Sequence, residues 1–206
     1  MKKAVLVLLC AALVSCKSGK EAPKVPAGPL TLDKAHSSLS AVAIKNGKVP
    51  VTVNFKDLEG SLTLQPFKAE LGISLDTLQT GDEKRDANVK RYFFETLRKE
   101  AFKKAAFELK ELEGGLEGLK EGEERVAQGK GELSLHGVSL AMSGPLTVKS
   151  LPGGAYSASF KEAWVVSIKG VKLMSQLKNL NKHCPKPHQV GEKVALTGEL
   201  VFGGKQ

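Results

Sequence analysis

Short segments in which apolar and polar residues alternate recur along most of this chain. In residues 68–76, the apolar side chains of Ala69, Leu71, Ile73 and Leu75 occupy every second position. Successive side chains of a β-strand point to opposite faces, so this spacing predicts a half-buried strand. The same pattern predicts further strands at residues 38–44, 49–55, 60–64, 131–137, 138–144, 156–168 and 194–202. Many short strands separated by Gly, Pro, Asn or Asp are typical of an antiparallel sandwich or barrel.

Two segments are predicted to be helical. Residues 86–97 begin with Asp86, whose carboxylate can cap the free N–H groups of a first helical turn. Residues 171–184 carry apolar side chains about three positions apart, close to the helical period. Residues 100–113 are ambiguous. Their Ala, Lys, Glu and Leu content favours a helix, whereas their last part, AFELKEL, alternates like a strand.

The first sixteen residues predict a lipoprotein signal peptide. The charged start MKK is followed by AVLVLLCAALVS, an apolar run too short to span a bilayer as a permanent helix. Its end, Leu13-Val14-Ser15-Cys16, resembles the lipobox of bacterial lipoproteins, in which the cysteine is acylated and becomes the first residue of the mature protein. The alternative is an ordinary signal peptide with an incidental cysteine. Because of this lipobox-like sequence, we expect lipidation at Cys16. Several acyl chains would hold the protein stably at a membrane.

Residues 17–29, KSGKEAPKVPAGP, have no apolar periodicity and predict a flexible tether. Residues 30–206 then form one domain of ordinary size. Lys17 is not the Asp that commonly retains such lipoproteins at the inner membrane, so we expect the periplasmic face of the outer membrane.

The formal net charge is +9, but the lysines are scattered and aromatic residues make up only 5%. This composition does not indicate a nucleic-acid partner and favours a solvated surface attracted to anionic headgroups.

Two groups of polar residues contain residue types found in catalytic or calcium-binding sites. Asp33, His36 and Ser37 contain the residue types of a catalytic triad, but they span the start of a strand. Hydrogen bonds from these side chains to the backbone explain them more simply, because a triad is defined by geometry and not by closeness in sequence. The acidic stretch 76–86, DTLQTGDEKRD, lacks the alternate acids and closing Glu of a calcium loop. The first group therefore does not predict an enzyme, and the second does not predict a calcium site.

A third group has the composition of a metal site. His183, Cys184 and His188 place imidazole and thiolate ligands within six residues, a set that suits zinc or copper. We favour the interpretation that they belong to a loop, stiffened by two prolines, between a helix and the last strand. No metal site is therefore predicted, and the three-residue site is kept as the alternative. Cys184 is the cysteine that remains when Cys10 is removed with the leader and Cys16 is acylated, so no disulfide is predicted. No cofactor is predicted.

Five segments, taken in order, resemble the YceI-like family. They are DKAHSSLSA (33–41), LEGSLTL (58–64), ISLDTLQTGDEKRDANVKRYFFE (73–95), AAFEL (105–109) and GKGELSLHGV (129–138). The family is a lipocalin-like β-barrel that encloses a long isoprenoid or another amphiphilic lipid. The residues that carry the family motif are Asp33, His36, Ser37, Asp76, Thr77, Gly81, Arg85, Asp86, Phe93, Phe94, His136 and Gly137.

The resemblance implies an all-β protein, an antiparallel barrel of about eight strands with one or two short helices. It implies a strand at residues 105–112, and it makes residues 76–86 the exit from a barrel strand into a helix. It also implies binding without chemistry, with a polyisoprenoid or similar lipid as ligand and a homodimer as one oligomeric state. The expected cavity wall consists of apolar residues, which would otherwise be a solid core. They are Leu71, Ile73, Leu75, Phe107, Leu133, Leu135, Trp164, Val166, Leu200 and Phe202.

The chain departs from the family pattern in two places. After the His-Ser pair, where the family usually has aromatic residues, this chain has Leu39, Ala41 and Ala43. In the last third, SIKGVKLMSQLKNL replaces the family's Arg-Ser-Asp-Phe-Gly stretch. Both departures predict a cavity of different shape. Two alternatives to a lipid carrier stay open: an interaction lipoprotein with a filled barrel, and a metal- or redox-linked protein that uses the loop containing His183.

Overall fold

A computed structural model of the chain describes residues 28–184 and 189–204. The predicted signal peptide, its Cys16, and residues 17–27 of the predicted tether lie outside the described residues. Twelve strands form one antiparallel sheet. Their bounds are β1 Leu30–Leu32, β2 Ser38–Lys45, β3 Val49–Phe55, β4 Leu58–Thr63, β5 Lys68–Ser74, β6 Leu78–Gln79, β7 Lys104–Glu113, β8 Glu124–Leu135, β9 Val138–Leu151, β10 Ala155–Phe160, β11 Trp164–Ser167 and β12 Val190–Gly203.

The sheet closes on itself as a barrel. The pairing order β1-β4-β5-β7-β8-β9-β10-β12 returns to its start, because β1 also pairs with β12. This ring contains eight strands, so the prediction of an all-β, antiparallel, eight-stranded barrel is confirmed. Closure leaves no unpaired edge along the ring, which removes the hazard of edge-to-edge aggregation.

Several short strands are parts of longer barrel strands. β1 and β2 both lie along β12, β3 and β4 lie along β2 and β1, and β5 and β6 lie along β4 and β3. β10 and β11 likewise both pair with β12. Each long strand therefore bends once and continues, and consecutive strands are neighbours throughout. This order is a simple up-and-down meander, in which helical segments lie between β6 and β7 and between β11 and β12.

The single strand predicted at residues 156–168 is wrong, because the structure divides it into β10 and β11. β10 pairs with β9 up to the pair Phe160 and Leu146. The next partner, Pro145, has no N–H group to extend the ladder, and only Lys161 N donates to the Pro145 carbonyl, at 3.3 Å. The chain leaves β9 there and resumes pairing with β12 alone at Trp164.

The ambiguous residues 100–113 form mainly a strand. A 3-10 turn covers Glu100–Lys103, and β7 follows at Lys104–Glu113, so the strand expected at 105–112 is confirmed. β7 is held on both sides, by β5 and by β8. These long-range ladders outweigh the local helix propensity of Ala, Lys and Glu.

The predicted helix at 86–97 begins earlier and ends earlier than expected. The α-helix α1 covers Glu83–Asn88 and continues as a π-helical turn at Val89–Phe93. Its N-cap is Asp82, whose side chain accepts a hydrogen bond from Arg85 N at 2.9 Å. The prediction that Asp86 caps the helix is therefore wrong. The carboxylate of Asp86 instead accepts from Thr80 N at 2.8 Å and from the Thr80 hydroxyl, and so holds the turn before the helix.

The second helix, α2, covers Met174–His183 and lies inside the predicted range 171–184. Leu177 and Leu180 are its buried residues, and α2 packs against the π-helical turn and β12. In residues 28–184 and 189–204, no helix has both the length and the apolar character needed to cross a bilayer. α1, the π-helical turn and α2 lie at one end of the barrel, next to β2, β3 and β12. This arrangement determines where an interior space remains.

Candidate binding site

An apolar space lies between the helices and the barrel wall. We name it the helix-side cavity; its volume is about 350 Å³. Its lining comes from β2, β3 and β12 on the barrel side and from α1, the π-helical turn and α2 on the other. Representative apolar lining residues are Ala41, Ala43, Val53, Phe93, Leu177 and Val194. A volume of this size falls in the range of small-molecule binding sites, about 300–1,000 Å³.

A second space lies inside the barrel itself. This central cavity measures only about 90 Å³. Seven of the ten predicted wall residues line it: Leu71, Ile73, Phe107, Leu133, Trp164, Leu200 and Phe202. Leu75, Leu135 and Val166 are buried, at 1%, 8% and 6% exposure, but they line neither cavity. The middle of the barrel is therefore mostly filled by side chains.

The two cavities follow one another along the same strands. On β2, Leu39 lines the central cavity, whereas Ala41, two residues later on the same face, lines the helix-side cavity. On β12, Leu196 lines the central cavity and Val194 lines the helix-side cavity. Leu196 lies directly opposite Ala41 in the sheet. One apolar face therefore runs from the helix-covered end into the barrel.

A tryptophan takes up much of the barrel interior. Gly129 on β8 and Gly144 on β9 are directly opposite each other, and the Trp164 indole lies over this pair. A methyl group at Gly144 would overlap the indole and lie 2.7 Å from Trp164 Cδ1. Phe107 and Phe160 meet the same ring edge-to-face, at centroid distances of 5.8 and 5.5 Å. Trp164 is 4% exposed and its Nε1 has no hydrogen-bond partner among the described residues.

The polar lining of the helix-side cavity is confined to three places in the chain. Lys45 ends β2, residues 80–88 include the first turn of α1, and Cys184 follows α2. Burial raises the pKa of the Cys184 thiol, and the positive charges of Lys45 and Arg85 act in the opposite direction. The thiol is therefore held mainly in its neutral form.

The charged stretch 76–86 joins a strand to a helix, as predicted. Thr77 Oγ1 donates to the Ser74 carbonyl at 2.9 Å and accepts from Asp57 N at 3.0 Å, which ties the turn to the neighbouring strand. Gly81 has φ +79°, a left-handed conformation that favours glycine. Arg85 pairs with Asp82 at 3.4 Å, and Asp76 lies 3.8 Å from Lys103 Nζ. The hydrogen bonds to Asp82 from the backbone and side chain of Arg85 lower the pKa of that carboxyl group.

The Asp33, His36 and Ser37 group forms a turn and not a triad. The carboxylate of Asp33 accepts from Ala35 N at 2.9 Å and from His36 Nδ1 at 2.7 Å, and the bond with His36 is the main cause of its lowered pKa. The Ser37 hydroxyl accepts from Val201 N at 2.9 Å. Ser37 is thus bonded to the backbone of β12, and none of the three residues lines either cavity.

The remaining motif residues join the helical segment to the barrel. His136 and Gly137 form the tight turn between β8 and β9, with φ of 53° and 76°. The His136 ring stacks on Phe102 at 4.0 Å, and burial lowers its pKa while a hydrogen bond to the backbone of Phe94 acts to raise it. Phe93 and Phe94 are buried edge-to-face, with ring centroids 4.8 Å apart, and line the helix-side cavity.

His183 and Cys184, two of the possible metal ligands, occupy separate environments. His183 Nδ1 lies 2.9 Å from the Asn179 carbonyl, and the ring stacks on Tyr92 at 3.7 Å. Cys184 lines the helix-side cavity, and His188 is outside the described residues. Across residues 28–184 and 189–204, no three His, Cys, Asp or Glu side chains are grouped as a metal site would require. The three-residue metal site, which includes His188, stays the alternative to the loop interpretation.

The sequence patterns did not predict that the helix-side cavity is larger than the central cavity. The signal was present in Ala41 and Ala43, whose small side chains face inward where the family usually has aromatic residues. A second signal was the apolar spacing of α2, because Leu177 and Leu180 both line this cavity. Both departures from the family pattern therefore contribute residues to the helix-side cavity.

Comparisons with known proteins agree on the fold. A family model described as the YceI-like domain matches residues 30–202. A polyisoprenoid binding domain from Saccharophagus degradans superposes with a TM-score of 0.74 at 22% identity, covering 85% of this chain and 98% of that one. BcnA of Burkholderia cenocepacia gives 0.62 at 17%, covering 82% and 98%. The YceI protein of Campylobacter jejuni gives 0.52 at 17%, covering 76% and 86%.

A comparison with curated proteins found no match. At these levels of identity the structural likenesses establish the fold alone. The family model is a separate finding, because it matches most of the chain and spans all the segments that carry the motif. The chain belongs to the YceI-like family.

Proposed function

We propose that this protein binds an isoprenoid or another amphiphilic lipid in the helix-side cavity and does not transform it. The observation that carries the proposal is one apolar face, formed by β2 and β12, that lines both the helix-side cavity and the central cavity. The Saccharophagus degradans domain with the same fold is described as polyisoprenoid binding. That description supports the same ligand class here.

The chain of such a ligand would be held mainly by the release of water from apolar surface. This contributes about 25 cal/mol for each Å² of apolar area buried and needs few directional contacts. The position of the ligand follows from the two volumes. The helix-side cavity, at about 350 Å³, takes most of the ligand, and the 90 Å³ central cavity admits only the end of its chain unless side chains move.

Binding without chemistry is supported by the placement of the candidate catalytic residues. Asp33, His36 and Ser37 form a turn before β2 and line neither cavity. A nucleophile or an acid–base pair must lie within reach of the substrate to act on it. We therefore assign the protein a role in carrying or sequestering a lipid.

The binding proposal is tested with the single tryptophan of the chain. Trp164 lines the central cavity, so a ligand chain that reaches it changes the indole environment. Delipidated protein is titrated with farnesol and geranylgeraniol while the tryptophan emission is recorded. We expect saturable shifts, larger for the longer chain. A flat response, together with no heat of binding by calorimetry, would favour the filled-barrel interaction protein instead.

We also propose that the protein is exported and anchored to the membrane through acylated Cys16. The lipobox-like sequence Leu13-Val14-Ser15-Cys16 after an apolar leader supports this, and Lys17 favours the outer membrane. Replacing Cys16 with Ser should move the protein from the membrane fraction to the soluble exported fraction. Equal membrane retention of the Cys16→Ser variant would refute the anchor.

A further inference from the structure

The polar end of the helix-side cavity carries an excess of positive charge. Lys45, Lys84 and Arg85 line it, and Asp82 is the acidic residue among its described lining residues. The Asp82 carboxylate is already engaged, because it accepts hydrogen bonds from Arg85 N at 2.9 Å and from Arg85 Nη2 at 3.4 Å. Lys45 and Lys84 form no ion pair with any acidic side chain within residues 28–184 and 189–204.

These cations converge although they come from different elements. Lys45 is the last residue of β2, and Arg85 belongs to α1. Both act electrostatically on the same atom, the Cys184 sulfur at the end of α2. Lys45 is half-buried, whereas Lys84 and Arg85 are exposed. Lys45, Lys84 and Arg85 are therefore the cationic side chains of a lining that is otherwise mostly apolar.

The inner face of β2 changes from charged to apolar with depth. Lys45, Ala43 and Ala41 line the helix-side cavity in that order, and Leu39 lines the central cavity. Their partners on β12 are Val190 opposite Lys45, then Val194 and Leu196. A bound amphiphile whose head lies at Lys45 would thus have its chain directed toward the middle of the barrel.

We propose that the ligand is an amphiphile with an anionic head, a carboxylate or a phosphate, held by Lys45, Lys84 and Arg85. This inference rests on the proposed lipid-binding function and specifies its ligand class. Lysine and arginine form charge-assisted hydrogen bonds with both kinds of anion, and these bonds are stronger than those to neutral oxygen. A partly buried lysine at an apolar boundary favours an anion further, because water screens the pair less there.

The test compares pairs of ligands that share an apolar chain and differ in the head group, which is anionic in one ligand and neutral in the other. Delipidated protein is titrated with hexadecanoic acid and hexadecan-1-ol, and separately with farnesyl monophosphate and farnesol. We expect each anion to bind about tenfold or more tightly than its neutral counterpart, the gain expected from one to two charge-assisted hydrogen bonds. The advantage should shrink as salt is raised. The pair with the larger difference identifies whether the head is a carboxylate or a phosphate.

Variants locate the effect at the opening. A Lys45→Met, Lys84→Met double variant keeps the apolar stems and should lose most of the preference for the anion over its neutral counterpart. Lys48→Met is the matched control, because Lys48 lies in the same hairpin as Lys45 but does not line the cavity. Equal affinity of wild-type protein for anion and neutral partner would overturn the anionic-head proposal and leave lipid binding standing. An equal loss in the Lys48→Met control would overturn the assignment to these residues, and binding of none of the four ligands would overturn the proposed function itself.

Discussion

Filling the helix-side cavity with one larger side chain should abolish tight lipid binding while the barrel stays folded. Ala43 lines this cavity and lies between Val51 and Val194, its two cross-strand neighbours, which also line it. In an Ala43→Phe variant, the new ring enters a space of about 350 Å³ that is open in this structure. Because nothing has to be displaced, the free energy of unfolding should stay within about 1 kcal/mol of the wild-type value or rise.

The expected loss of affinity follows from the area that the ring takes from the ligand. If the ring displaces about 100 Å² of apolar ligand surface, binding weakens by about 2.5 kcal/mol, or about 70-fold. The assay is titration of delipidated protein, followed by Trp164 emission. Trp164 is the single tryptophan of the chain, so the same signal serves for the variant and the wild type. Stability is measured by urea unfolding.

Two further variants control this experiment. Ile44→Phe places the same ring on the opposite face of β2, at a side chain that is 38% exposed, and should bind like the wild type. Ile73→Phe enlarges a buried side chain beside the 90 Å³ central cavity and should lower the free energy of unfolding by about 1–3 kcal/mol. Wild-type affinity in a folded Ala43→Phe protein would refute the reasoning, because the ligand would then lie elsewhere.

Three other predictions concern the frame of the barrel. Gly144→Ala should lower the free energy of unfolding by about 1–3 kcal/mol, because the added methyl group meets Trp164. In a double-mutant cycle measured by urea unfolding, the same methyl group should cost less when Trp164 is replaced by Leu. Asp82→Ala should cost about 0.5–2 kcal/mol by removing the N-cap of α1, and an unchanged urea midpoint would show that the cap is dispensable. Burial lowers the pKa of His136 in the folded state, so the unfolded state binds more protons and the fold should lose stability as pH falls from 7 toward 5. His136→Asn, which suits the positive φ of this turn, should flatten that pH dependence, and an equally steep loss in the variant would contradict the assignment.

The closed barrel could be predicted because its strands carry period-two patterns and its motifs resemble a family. Residues 68–76 gave β5 within two residues, and the strand at 104–113 was identified only through the resemblance, since its composition favours a helix. The helix start was misplaced because both Asp82 and Asp86 are suitable caps by residue type. Only the position of Thr80 decides between them, since it binds Asp86 and leaves Asp82 for the helix.

The size and place of the cavity could not be predicted from alternation. Alternation places Leu71, Ile73 and Leu133 on the inner face, but it does not say whether their side chains leave a gap or fill the barrel. That depends on Trp164, whose indole covers the glycine pair of β8 and β9 and fills the centre. It also depends on how α2 lies over β12, and such a contact between distant segments leaves no periodic signal.

Native mass spectrometry of the protein purified without delipidation tests the central claim most directly. The proposal predicts a discrete added mass that is released on unfolding and is identified, after extraction, as a lipid with an apolar chain. The same mass should be missing from the Ala43→Phe variant and present in the Ile44→Phe variant, since Ala43 lines the helix-side cavity and Ile44 does not. A wild-type protein that carries no lipid, and that takes up none when incubated with an envelope lipid extract, would contradict the account.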